Sequence, residues 1–144
     1  MERLALLAVT AHPGDELPVA GTLAQMAEAG VYVALACATR GENTPPAPVR
    51  GEEMVQPQAA EQEHDLRCAC AKLGVQEVHF LGYDDSGPQG EAGARDALSR
   101  ASACEVVRRL VGVIRAVRPQ VMLTVEPGGI DRHVDRVAIS ELAA

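Results

Sequence analysis

The amino-acid sequence predicts an α/β fold of the Rossmann-like type, a three-layer sandwich with four parallel strands in the order 3-2-1-4. Apolar runs and helical apolar patterns alternate four times along the 144 residues, which is the βα alternation of a parallel sheet with helices on both faces. Hydrophobic residues make up 47% of the chain but aromatic residues only 2%. The core is therefore aliphatic, as suits a parallel sheet covered by helices.

The first half of the chain contains two strands and two helices. Leu4–Thr10 is a continuous apolar run, which predicts a strand buried on both faces. Residues 40–58 contain four prolines and are predicted to form a loop. The other elements predicted here are a helix that opens with Pro18 and ends before Gly30, a strand at 31–39 and a helix at 59–73.

The second half repeats the alternation. The predicted elements are a strand at 75–81, a loop at 82–100, a helix that ends before Pro119, a strand at 121–125 and a last helix that Asp131 can cap. Ser102 and Glu105 have the spacing of a capping box, with Ser at the N-cap and Glu at the third helical position. They predict the start of the helix that precedes Pro119.

The predicted strand order places a ligand site between strands one and four. In open parallel sheets, ligands collect outside the carboxyl ends of the strands, where the strand order reverses. The loops after these two strands carry the His and Asp clusters of the chain. We therefore expect the loops of His12 and His133 to lie side by side at one edge of the sheet, bordered by the loops at 40–58 and 82–100.

A histidine and a carboxylate follow the first strand directly. His12 and Asp15 are three residues apart at a strand-to-helix turn, so both side chains can point into one cleft, and both are ordinary zinc ligands. A second polar cluster, 131–136, follows the fourth strand. In the alternative interpretation, the first pair is a polar turn and the second cluster is a solvated helix start with Asp near the positive end of the helix dipole.

Composition excludes several other classes of function. The net charge of −7 and the pI near 5.0 argue against nucleic-acid binding, which needs clustered Lys and Arg. No apolar run approaches the ~20 residues of a membrane helix, and no signal-peptide pattern opens the chain. We expect a single cytoplasmic domain over 1–144, with no membrane partner; the sequence leaves the oligomeric state open.

Four motifs, in order, resemble those of the LmbE/PIG-L family, zinc-dependent enzymes that remove acyl groups from amino-sugar nitrogens. Residues 11–16 resemble its Ala-His-Pro-Asp-Asp-Glu signature and residues 39–42 its Thr-Arg-Gly-Glu motif. Residues 81–87 resemble the Leu-Gly-Tyr-Arg-Asp-Ser-Gly stretch of the branch that contains mycothiol S-conjugate amidases. Residues 119–125, together with 133–136, resemble its Pro-x-Val-Val and His-Pro-Asp-His segment. The resemblance implies a Rossmann-like fold and a small amino-sugar-like ligand.

The resemblance also implies roles for single residues. It assigns zinc ligation to His12 and Asp15, with the third zinc ligand at position 136. It places the general base at position 14 and gives His133 the role of stabilising the reacting acyl group. Family members are considerably longer, so the chain is expected to lack the C-terminal part of the family fold.

Two positions depart from the family pattern. Gly14 has no side chain to take a proton from a zinc-bound water, and Arg136 cannot donate a lone pair to a metal. We therefore expect weak or absent zinc binding and impaired hydrolysis. We expect Arg136 to form a bidentate pair with Asp15 in place of the missing metal charge. The alternative is a non-catalytic small-molecule-binding or interaction domain that keeps the family fold.

Four further residues complete the candidate site. Asp135 belongs to the same motif as His133 and is grouped with it as a candidate catalytic residue. Arg40 and Glu42 follow strand two and can contact a polar ligand, although a salt bridge within the loop is the favoured role. Asp85 is expected from the resemblance to accept sugar hydroxyls; Asp-Ser-Gly is also ordinary turn chemistry.

Overall fold

The sheet has the predicted topology. A computed structural model describes residues 3–43, 59–87, 89, 90, 93 and 95–144. Its four strands lie in the spatial order β3-β2-β1-β4 and all three pairings are parallel, which confirms the predicted order. The strands are β1 (Ala5–Thr10), β2 (Tyr32–Thr39), β3 (Glu77–Tyr83) and β4 (Val121–Thr124).

Helices cover both faces of this sheet, as expected for a three-layer sandwich. They are α1 (Ala20–Glu28), α2 (Ala59–Lys72), α3 (Ala103–Val117), a short helical turn α4 (Gly129–Arg132) and α5 (Val134–Ala143). Side chains of α3 and α5 pack in one core, and those of α1 and α2 pack in the other. Within the described part of the chain, no helix is long and apolar enough to cross a membrane.

The central strand β1 is buried along its whole length. Leu7 and Val9 point into the core that contains α3 and α5, whereas Leu6 and Ala8 point into the core that contains α1 and α2. Alternate residues of a strand face opposite sides of the sheet, so a strand covered on both sides has to be apolar throughout. The continuous apolar run in the sequence is a consequence of this position.

The third strand begins and ends later than predicted. Val75 still belongs to the turn that ends α2, because its N–H donates to the Cys70 carbonyl at 2.9 Å. The strand then continues to Tyr83, which pairs with Thr39 after a register shift in β2 between Cys37 and Thr39. The chain that follows β3 therefore starts two residues later, and Asp85 lies close to the end of the strand.

The predicted capping box at α3 is wrong in its chemistry. Ser102 occupies the N-cap, but its side chain makes no capping hydrogen bond. The carboxylate of Glu105 accepts a hydrogen bond from Arg109 Nη2 at 2.6 Å, one helical turn along α3. The helix start is satisfied instead by the Ser102 carbonyl, which accepts from the Glu105 and Val106 N–H groups.

The packing of α3 gives a test of the fold. Leu110 is 2% exposed in the core, so Leu110→Ala should lower the free energy of unfolding by about 2–5 kcal/mol through lost contacts and a residual cavity. Val107, on the same helix, is 37% exposed, and Val107→Ala should cost less than about 1 kcal/mol. Urea denaturation measures both. Equal losses from the two variants would contradict the orientation of α3.

Candidate functional site

The candidate site lies at the carboxyl ends of the strands, beside the point where the strand order reverses between β1 and β4. The loop after β1 supplies His12, and the start of α5 after β4 supplies His133. Their rings meet edge to face with centroids 4.5 Å apart, so the predicted adjacency of these two loops is confirmed. The chain after β3 adds Asp85, whose nearest carboxylate oxygen lies 3.5 Å from His12 Nε2.

His12 is the centre of the site and is only 2% exposed. Its Nε2 lies 3.0 Å from Asp135 Oδ2, and its Nδ1 lies 3.6 Å from Asp15 Oδ2. Burial lowers the pKa of this imidazole, but hydrogen bonds with Asp135, Asp15 and Asp85 outweigh it and raise the pKa to about 11. A charged imidazole here partly neutralises the surrounding carboxylates.

Arg136 forms the expected ion pair with Asp15. Its Nε and Nη2 lie 2.9 and 2.7 Å from Asp15 Oδ1, so both nitrogens share one oxygen rather than forming the bidentate fork that the sequence suggested. The other oxygen, Oδ2, accepts from the His12 backbone N–H at 2.9 Å. Burial raises the pKa of Asp15, but hydrogen bonds from His12 and Arg136 more than offset this and lower it overall.

The third nitrogen of Arg136 reaches a second carboxylate. Nη1 lies 2.6 Å from Asp131 Oδ2. This residue does not act as the predicted N-cap of α5: His133 occupies that position, and its Nδ1 accepts from the Asp135 N–H at 3.2 Å. Asp131 Oδ1 instead accepts from the His133 N–H at 3.0 Å. Burial and the neighbouring His12 charge lower the pKa of His133.

The predicted substrate-binding residues take different places. Asp85 is fully buried, and its Oδ1 accepts from the Gly87 N–H at 2.9 Å. Glu42 Oε2 accepts from the Asp85 N–H at 3.1 Å, so it positions the neighbouring loop. Arg40 is half exposed, and its Nε lies 3.4 Å from Glu63 Oε2, so its salt bridge joins the loop to α2 instead of lying within the loop. Residues 44–58 of the predicted loop lie outside the described residues.

Gly14 has a backbone that favours glycine. Its φ is +99°, a value that other L-residues rarely adopt. A Cβ built at this position would meet no atom within 4 Å, so space is open where the resemblance places a general base. The loop is held by the Gly14 N–H, which donates to Glu16 Oε2 at 2.8 Å.

A cavity of about 210 Å³ opens beside Asp15, between the ends of β1 and β4. Its polar lining residues are Thr10, Asp15, Thr124 and Glu126, and the rest of its wall is largely apolar. Pockets for drug-sized ligands usually measure about 300–1,000 Å³. This cavity therefore suits one ring or acyl group of a ligand rather than a whole sugar conjugate.

Comparison with known proteins agrees with this geometry. The sequence profile of the family described as PIG-L, GlcNAc-PI de-N-acetylase, matches residues 7–144. The chain belongs to the PIG-L family. It is 39% identical, over 161 aligned positions, to the 1D-myo-inositol 2-acetamido-2-deoxy-alpha-D-glucopyranoside deacetylase of Kineococcus radiotolerans, an alignment that covers 94% of this chain and 42% of the relative. The chain spans about half the length of the curated relatives it matches.

Solved structures show the same fold. The N,N'-diacetylchitobiose deacetylase of Pyrococcus horikoshii is 20% identical, with a TM-score of 0.73 over 96% of this chain and 47% of its own. GalB of Pseudomonas putida, a 4-carboxy-2-hydroxymuconate hydratase, is 25% identical, with a TM-score of 0.72 over 97% of this chain and 54% of its own. Proteins named for two different reactions therefore share the architecture of this PIG-L chain.

The zinc site implied by the PIG-L resemblance does not fit the residues present. His12 and Asp15 offer a nitrogen and a carboxylate, but Arg136 stands at the third position, and a guanidinium has no lone pair for a metal. Two of its nitrogens already lie within 3 Å of Asp15 Oδ1. A divalent ion bound to that oxygen would meet a positive charge at close range. The guanidinium and a zinc ion therefore compete for the same carboxylate.

The Asp15–Arg136 pair is tested by a double-mutant cycle with Asp15→Asn and Arg136→Met. Both side chains are largely buried, so the coupling energy measured by urea denaturation should be about 1–3 kcal/mol. The exposed pair of Glu105 and Arg109 on α3 is the matched control and should couple by less than about 0.5 kcal/mol. A coupling of Asp15 with Arg136 no larger than the control would contradict the ion pair.

Proposed function

We propose that this chain binds a small amino-sugar conjugate of the kind named for its PIG-L relatives, and that it hydrolyses the amide bond of that ligand negligibly. The observation that carries the proposal is the ion pair between Arg136 and Asp15. It places a fixed cation where the family mechanism needs a metal ligand. A guanidinium neutralises Asp15 but cannot acidify a water molecule as a metal ion does.

Position 14, the second position that departs from the family pattern, also disfavours hydrolysis. Gly14 provides no carboxylate to take a proton, and loss of a general base costs about 10²- to 10⁴-fold in rate. The nearby Glu16 carboxylate already accepts a hydrogen bond from the Gly14 N–H. Among the candidate residues, His133 has a lowered pKa, yet its Nδ1 is bound to the start of α5. Proton transfer at the family position therefore lacks its base.

Ligand binding is supported by the cavity beside Asp15. It opens at the switch point of the sheet, the usual place for ligands in this architecture, and its largely apolar wall suits an acyl group or one face of a sugar ring. The side chain of Arg136 is 21% exposed, so part of the guanidinium that pairs with Asp15 remains accessible to solvent. In this proposal, Asp85, Glu42 and Arg40 shape the cleft through neighbouring residues instead of contacting the ligand.

Activity assays test the proposal. The wild-type chain, incubated with 1D-myo-inositol 2-acetamido-2-deoxy-alpha-D-glucopyranoside and zinc, should bind the compound in calorimetry but release acetate no faster than buffer. Arg136→His should recover little activity alone, because position 14 still lacks a carboxylate. The double variant Gly14→Asp with Arg136→His should release acetate at least about 10²-fold faster than the single variant.

A matched control separates the carboxylate from the backbone change. Any side chain at position 14 meets the positive φ of this turn, at roughly 1–2 kcal/mol. Gly14→Ala with Arg136→His carries that strain without a carboxylate and should stay inactive. Rapid acetate release by the unmodified chain, or absence of any calorimetric binding, would each show the proposal to be wrong.

A further inference from the structure

A second group of possible ligands lies on the opposite side of His12 from Arg136. His12, Asp85, His133 and Asp135 each offer one nitrogen or oxygen atom, and these four atoms lie within 4.8 Å of one another. They come from the chain after β1, the chain after β3 and the start of α5. Asp15 is not a member of this group. The group therefore shares only His12 with the zinc position that the family resemblance implies.

We propose that His12, Asp85, His133 and Asp135 bind one divalent transition-metal ion, with zinc the best fit, in a closed site that stabilises the fold. Two imidazoles favour zinc over magnesium or calcium, which prefer oxygen ligands alone, and carboxylates are also ordinary zinc ligands. Binding of the ion displaces the ring proton of His12 to solvent, after which two carboxylates and two neutral imidazoles balance a divalent charge.

The contacts around the four side chains hold them in place. The Gly87 N–H donates to Asp85 Oδ1 at 2.9 Å, and the Ser86 N–H donates to Asp135 Oδ2 at 2.9 Å. His133 Nδ1 accepts from the Asp135 N–H, which leaves Nε2 as the ring nitrogen able to bind an ion. Hydrogen bonds from neighbouring groups that orient each ligand are the usual support of a metal site.

One buried atom points independently to a ligand. Asp135 is completely buried, and its Oδ1 has no hydrogen-bond partner among the described residues. A buried carboxylate oxygen without a donor is costly, and such atoms call for an explanation such as an ion. The other oxygen of the same carboxylate already lies 3.0 Å from His12 Nε2. An ion between these side chains would compensate the negative charge of Asp135 directly.

The number of ligands decides the role of the ion. Structural zinc sites are closed by four protein ligands, whereas catalytic sites keep one position open for water or substrate. Three of these four residues are buried, so little room remains for a reacting water. The ion would join the chain after β1, the chain after β3 and α5, and it would not supply the hydrolytic activity that Gly14 and Arg136 remove.

Metal titration of the purified, chelator-treated chain tests the site. One zinc ion should bind per chain by calorimetry and raise the melting temperature. Cobalt added to the zinc-free chain should give the intense visible absorption of a tetrahedral site, and zinc should then abolish that absorption. Asp85→Asn and His133→Ala should each weaken zinc binding by at least about 10-fold. Asp15→Asn, the comparison variant at the family position, should weaken zinc binding less than these two variants do, because Asp15 contacts His12 but is not one of the four ligands.

The outcomes are distinct from those of the proposed function, because the readouts are zinc stoichiometry and melting temperature and not acetate release. Circular dichroism checks that each variant is folded, and cobalt absorption of the wild type gives an answer that needs no variant. Zinc that neither binds stoichiometrically nor raises the melting temperature would overturn the inference. Loss of binding in Asp15→Asn with retention in Asp85→Asn would place the ion at the family position and overturn it as well.

Discussion

Three carboxylates buried at one edge of the sheet constrain the rest of the site. Asp15, Asp85 and Asp135 all come from chain that follows parallel strands, and all are at most 6% exposed. Burying a charge is costly unless a partner compensates it. Each of the three therefore needs cations or N–H donors at fixed positions, and the loops that carry those donors have to stay in register with the strands.

The three buried carboxylates lie on two sides of the His12 ring. On its Nδ1 side, Arg136 neutralises Asp15 through two nitrogens. On its Nε2 side, Asp135 and Asp85 share the imidazole and the backbone N–H groups of residues 86 and 87. On the first side, the Arg136 guanidinium faces Asp15 and also reaches Asp131. On the second side, Asp85 and Asp135 both face the imidazole of His12.

The strand order and the adjacency of the two histidine loops could be predicted because they follow from general rules. Alternating strands and helices force a parallel sheet, and a parallel sheet brings the chain after β1 and β4 to one edge. The roles of Asp85 and Glu42 could not be read in the same way. They depend on where β3 ends. The strand continues to Tyr83, past the register shift between Cys37 and Thr39, and no local pattern in the sequence marks that end.

Local chemistry was harder to predict than topology for a related reason. Ser102 and Glu105 have the spacing of a capping box, but Arg109 on the exposed surface of α3 offers Glu105 a charged partner. The N-cap predicted at Asp131 is taken by His133, because Arg136 draws the Asp131 carboxylate towards itself. In both cases a side chain one or two turns away competes successfully with the short-range motif.

The fold alone does not decide which reaction this architecture performs, since a deacetylase and a hydratase share it. The side chain at position 136 matters more, because it reverses the chemistry offered to Asp15. A histidine would share the carboxylate with a metal, whereas Arg136 saturates it and also reaches Asp131 in α4. That turn includes Ile130 at φ +64° and ψ −56°, a conformation that costs about 1–3 kcal/mol. The guanidinium thus ties a strained turn to the chain after β1, at the position where the family resemblance implies a metal ligand.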